Sequence, residues 1–107
     1  MKTRSLLLAG MSFAAVSALA EPAADIWSAQ CAKCHGADGA GKTKIGQKMK
    51  IKDYSDPKIQ ADLTDDAILA AIKNGVTENG KERMKAFSDL SDDDVKALVV
   101  YVRSLKK

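Results

Sequence analysis

Histidine and cysteine are scarce in this chain, and the scarcity narrows its chemistry. Its 107 residues include one His, two Cys, two Pro and one Trp. A structural zinc site takes four N or S ligands, and Cys31, Cys34 and His35 are the only Cys and His side chains present. Two cysteines allow at most one disulfide, and then only in an oxidising compartment. A long hydrophobic run is also missing. The apolar stretch Leu6 to Val16, broken by Gly10 and Ser12, falls well short of the ~20 residues that span a bilayer. Aromatics make up 5% of the chain, and beyond residue 20 they are Trp27, Tyr54, Phe87 and Tyr101. A small domain with so few large side chains buries a limited core.

The first 20 residues form an export signal. Lys2 and Arg4 are its positive start, Leu6 to Val16 its apolar centre, and Ala18-Leu19-Ala20 an A-x-A cleavage site that leaves Glu21 as the new terminus. The expected mature domain is residues 21–107. Lys2 and Arg4 account for two of the three net positive charges, so the mature chain carries +1. That near-neutral total excludes a general nucleic-acid binder.

The densest chemistry lies in Cys31-Ala32-Lys33-Cys34-His35. C-x-x-C-H is the attachment signature of a c-type haem. Two thiols three positions apart on a helical turn can add to the two vinyl groups of a porphyrin. The next residue then lies beneath the ring, where an imidazole reaches the iron. A dithiol redox motif would need a βαβ neighbourhood, and no strand pattern stands nearby.

Pro22 suits a first helical position, and a helix is expected from about Pro22 to Cys34, with Trp27 one turn before Cys31. Trp27 is expected to cover a haem edge or pack on a partner helix, and Gly36 to stop the helix. Residues 36–57 read as a loop, rich in glycine and carrying Lys42, Lys44, Lys48, Lys50 and Lys52. Thr64 caps the next helix, whose stripe is Ile68, Leu69 and Ile72 and whose end is Gly75. Residues 75–90 read as irregular, with Met84 as a soft neutral group suited to a second axial position on haem iron. Met49 is the other candidate. Ser91 caps the last helix, with Asp92, Asp93 and Asp94 in its first turn and Val95, Leu98, Val99 and Val102 on one face.

These motifs together resemble the monohaem class I c-type cytochromes. The resemblance rests on C-A-K-C-H near the mature N-terminus, on C-H-G-A-D-G-A-G, and on R-M-K-A-F followed by L-S-D-D-D-V-K-A-L-V-V-Y-V-R-S-L. It covers essentially all of residues 21–107. It implies an all-α fold in which the N- and C-terminal helices pack across each other around one haem c. It further implies thioethers from Cys31 and Cys34, with His35 and Met84 as axial ligands of the iron.

The implied role is that of a soluble, monomeric one-electron carrier, periplasmic or otherwise exported. It would be an electron-transfer protein and no enzyme, without stable membrane insertion once the signal is removed. Its partners would be redox proteins, and the basic loop suggests acidic ones. A haem peroxidase or gas sensor with a labile distal Met is one alternative, and a haem subunit of a larger oxidoreductase is another. Two departures stand out. Lys85 follows Met84, where the family often has Pro. No Pro occurs between His35 and Pro57 to offer its carbonyl to the imidazole, so some other backbone carbonyl is expected to serve; Thr43–Gly46 is one candidate stretch, and the sequence does not say which carbonyl it is.

Overall fold

The structure is a computed structural model, and it describes residues 20–107. The expected export signal at residues 1–20 lies outside the described residues, apart from Ala20. Six α-helices follow in order: α1 Ala20–Ile26, α2 Ala32–His35, α3 Lys44–Met49, α4 Pro57–Asp62, α5 Asp65–Asn74 and α6 Asp92–Ser104. A π-helical segment, Trp27–Cys31, joins α1 to α2, and two short strands, β1 Val76–Glu78 and β2 Lys81–Met84, lie between α5 and α6.

Local chemistry sets most of the helix ends. The Thr64 side chain accepts from the Ala67 N–H, and Gly75 closes α5 at φ +75°. Ser91 and Asp94 form a complete capping box at the head of α6. Asp56 caps α4 with Pro57 at its first turn, and Thr43 caps α3.

The first helix packs on the last, and α5 packs beside it. Their contact faces form one buried cluster of Ala23, Trp27, Ile68, Ile72, Val95, Leu98, Val99 and Val102, joined by Phe87. Burying that many apolar side chains, each worth about 1.5–3 kcal/mol when large, drives the assembly. One polar network runs through it. The buried Gln60 side chain donates from Nε2 to the carbonyls of Tyr54 (2.7 Å) and Val102 (2.9 Å). Arg103 donates to the Gln60 carbonyl and Oε1, to the Leu63 carbonyl and to Asp65. This network ties α6 to α4 and to the start of α5.

Three local expectations are corrected within this mostly helical frame. The first helix is interrupted: the Ala32 N–H bonds to the Trp27 carbonyl, five residues back instead of four. The stretch 36–57 is helical at α3 and begins α4 at Pro57. Those helices have six residues each, too short for an apolar period to show. Residues 76–84 form an antiparallel hairpin, with Glu78 paired to Lys81 and Val76 to Met84, and a bulge between Val76 and Thr77. Its turn is Asn79-Gly80, both at positive φ. Asn-Gly is the strongest short-range hairpin signal, but the strands beside it are largely exposed and lack an alternating apolar pattern.

Candidate functional site

The five-residue motif straddles two elements. Cys31 ends the π segment, while Cys34 and His35 close α2. The extra residue in the π turn re-phases Cys31 against Trp27. Such insertions in a helix are frequent at functional sites. The chain leaves α2 through Gly36 at φ +88°, and the Trp27 indole Nε1 donates to the Gly36 carbonyl at 3.0 Å. The loop that follows folds back on the motif. Gly41 N–H donates to the His35 carbonyl at 2.7 Å, and Thr43 Oγ1 donates to the Cys34 carbonyl at 2.5 Å. A Cβ on Gly46 would collide with the Gly41 carbonyl and stand 2.7 Å from that of Cys34.

A cleft opens beside the motif. Its inner part, about 80 Å³, is bordered by Trp27, Cys31, His35, Tyr54, Met84 and Leu98 among others. Its outer part, about 630 Å³, falls in the range of cofactor sites, about 300–1,000 Å³. Cys31, His35, Tyr54 and Met84 border both parts, whereas Cys34 and Met49 border only the outer one.

Cys31 and Cys34 are half-buried free thiols, so no disulfide joins them. Before haem is attached, burial, and then the neighbouring Cys34, push the Cys31 thiol up to about 11, which keeps it protonated at neutral pH. Burial also lowers the His35 pKa below its ordinary 6.5. The imidazole is therefore neutral at pH 7, the form that binds a metal. Its Nδ1 is buried, and no protein group among the described residues, Thr43–Gly46 included, hydrogen-bonds it. Two paired thiols, a neutral imidazole and a thioether in one apolar cleft fit a covalently held haem.

Met84 ends β2, paired with Val76. Met49 ends α3, and its carbonyl accepts from Arg83 Nη2 at 2.9 Å. Among the cations, Lys33, Lys50, Lys52, Arg83 and Lys85 line the outer cleft, with Glu78 as the acidic residue among them. Lys42, Lys44, Lys48 and Lys81 do not border it. Trp27 packs on Tyr101 of α6, as expected, with ring centres 5.5 Å apart, and it also borders the inner cavity. Tyr54 and Leu63 were not visible as site residues in the sequence. Tyr54 is a lone aromatic in a charged stretch, and that is the only local sign of it.

A small helical domain with this cleft and donor set is built to carry a covalent haem, and the comparisons agree. The family model described as cytochrome c oxidase, cbb3-type, subunit III matches residues 18–102. Cytochrome c-553 from each of two Helicobacter pylori strains is 34% identical over 76 residues, which is 71% of this chain and 71% of that protein. Among solved structures, the c-type cytochrome KustC0563 superposes with a TM-score of 0.69 at 31% identity, covering 79% of this chain and 98% of that one. A mutant of that protein gives 0.67 at 30% identity, covering 79% and 99%.

The chain belongs to the c-type cytochromes. It carries haem c covalently and functions in electron transfer.

Proposed function

We propose that Cys31 and Cys34 hold the haem through thioethers and that His35 and Met84 are its axial ligands. On this reading residues 21–107 are an exported, monomeric one-electron carrier that catalyses no reaction of its own. The observation that carries it is that His35, Cys31 and Met84 border the same inner apolar cavity, while Met49 borders only the outer cleft. Bound there, the haem supplies an iron that passes between ferrous and ferric.

The chain's own residues do the rest. His35 offers a neutral nitrogen because burial disfavours its charged form. Met84 offers a neutral thioether, which favours ferrous iron and raises the potential. Trp27, Ile68, Ile72, Leu98 and Val102 keep water from the inner cavity. With His35 and Met84 both holding the iron, no coordination position would remain for a substrate. The cationic mouth supports an acidic protein partner. The large apolar side chains left exposed among the described residues, Ile45 and Val100, are isolated ones, which supports a monomer. No described helix is long and apolar enough to cross a membrane, and the signal at residues 1–20 directs export with cleavage after Ala20.

Carbon monoxide tests the reading. Ferrous protein with both positions filled binds it slowly or not at all, and fast binding by the wild type would favour a sensor or peroxidase instead. The description of the matching family favours one second reading, a haem subunit of a larger oxidoreductase. Purification from the native source separates that from a free carrier.

A further inference from the structure

A histidine that ligates a metal almost always donates its other ring N–H to a carbonyl, carboxylate or water, and that bond fixes the ring. In this chain His35 Nδ1 is buried, and no protein group among the described residues hydrogen-bonds it. The neighbouring loop directs its groups elsewhere. Gly41 N–H goes to the His35 carbonyl, Thr43 Oγ1 to the Cys34 carbonyl, and the Gly46 carbonyl takes the Ile51 N–H at 2.9 Å.

Two aromatic rings flank the imidazole instead. The Trp27 ring centre lies 5.5 Å away at 35°, and that of Tyr54 lies 5.4 Å away at 26°. Both distances fall within the 4.5–7 Å over which aromatic pairs attract. Each ring is held in turn. Trp27 is tethered through Nε1 to Gly36 and packed on Tyr101. Tyr54 is pinned at both ends of its backbone unit: its N–H donates to the Gly39 carbonyl at 2.8 Å, and its carbonyl accepts from the buried Gln60.

We infer that Trp27 and Tyr54 are the positioning residues that set the plane of the His35 imidazole. The inference rests on the reading of His35 as an iron ligand. The plane of an axial imidazole decides which iron d orbital it overlaps. The two rings would therefore set the magnetic anisotropy of the ferric centre, which is read in the order of the four haem-methyl proton resonances.

The test is that order in the ferric holoprotein. Tyr54→Phe keeps a ring and is expected to retain the wild-type order. Tyr54→Leu removes the ring and is expected to re-order the methyl resonances while the iron stays low-spin. An unchanged order in Tyr54→Leu would overturn the inference, and so would a Tyr54→Phe spectrum matching that of Tyr54→Leu. If Tyr54→Leu does not fold, Trp27→Phe serves, because it keeps a ring against Tyr101 and loses the tether to Gly36. Its order is expected to change, and an unchanged one overturns the inference. Imidazole-ligand resonances in the wild type separate the two readings. Their absence would sink His35 as a ligand, whereas their presence with an unmoved methyl order would sink only the role of the rings.

Discussion

A Cβ placed on Gly75 would stand 2.6 Å from the carbonyl oxygen of Met84 and 2.9 Å from the Ala86 nitrogen. The end of α5 therefore presses on the backbone that delivers Met84 to the cleft, and only glycine allows that approach. Gly75 also sits at φ +75°, where side chains are strained. Gly75→Ala is expected to destabilise the protein by roughly 1–3 kcal/mol and to weaken the Met–iron band of the ferric protein in the near infrared. Denaturant titration and that band check the two effects separately.

Met84 and Met49 make opposite forecasts. Met84→Ala is expected to open the distal position, lower the potential and let carbon monoxide bind the ferrous protein quickly. Met49→Leu is expected to do none of this, because Met49 borders the outer cleft alone. Potentiometric titration and carbon monoxide mixing on both variants check this, and an exchange of phenotypes would make Met49 the ligand.

Gln60 is 5% exposed and its side chain bonds α4 to α6 and to the turn at Tyr54. Gln60→Leu leaves the Tyr54 carbonyl and one Arg103 donor short of a partner, while the Val102 carbonyl keeps the Leu105 N–H. The expected loss is about 1–3 kcal/mol, read as a lower urea midpoint at unchanged slope.

Asp92 at the head of α6 pairs with Lys73 of α5 at 2.7 Å. The Lys73 hydrogen bond and charge hold its carboxyl below the ordinary 3.8. A depressed folded pKa means that the pair stabilises the fold fully above about 3.8 and loses that effect as pH falls through the folded value. Both groups are largely solvated, so the effect is small. The gap in urea midpoint between wild type and Lys73→Ala is expected at pH 7 and should close as pH falls through the lowered folded value of Asp92.

Lys33, Lys50, Lys52, Arg83 and Lys85 ring the outer cleft against Glu78. Charge complementarity mainly raises association rates, and salt screens it. Electron transfer to an acidic redox partner is expected to slow as ionic strength rises. Replacing Lys50 and Lys52 with Gln should flatten that dependence more than replacing Lys42 and Lys44, which do not border the cleft. Stopped-flow rates across a salt series decide it, and equal flattening by both pairs would count against the mouth as the docking face.

What the sequence determined by itself is what neighbours in the chain decide. Cys31, Cys34 and His35 stand within one helical turn, so their joint chemistry follows from spacing. The Thr64 and Ser91 caps and the Gly75 stop are equally local, bonding three or four residues away. The apolar faces of α5 and α6 declare themselves by period, and with the motif they were enough to indicate a mostly helical cytochrome fold.

Only the tertiary structure decided what depends on residues far apart in the chain. Asn79-Gly80 made a hairpin possible, but its exposed strands gave no period, and their placement depends on Gly75 yielding to Met84. Met84 and Met49 are alike as thioethers, and only folding sets one against the inner cavity with His35 and leaves the other outside it. Tyr54 meets His35 across 19 positions, and Gln60 meets Val102 across 42. Contacts at such separations arise when the apolar faces of α1, α5 and α6 bury one another. No short stretch carries the energy of that burial, so no short stretch could announce them.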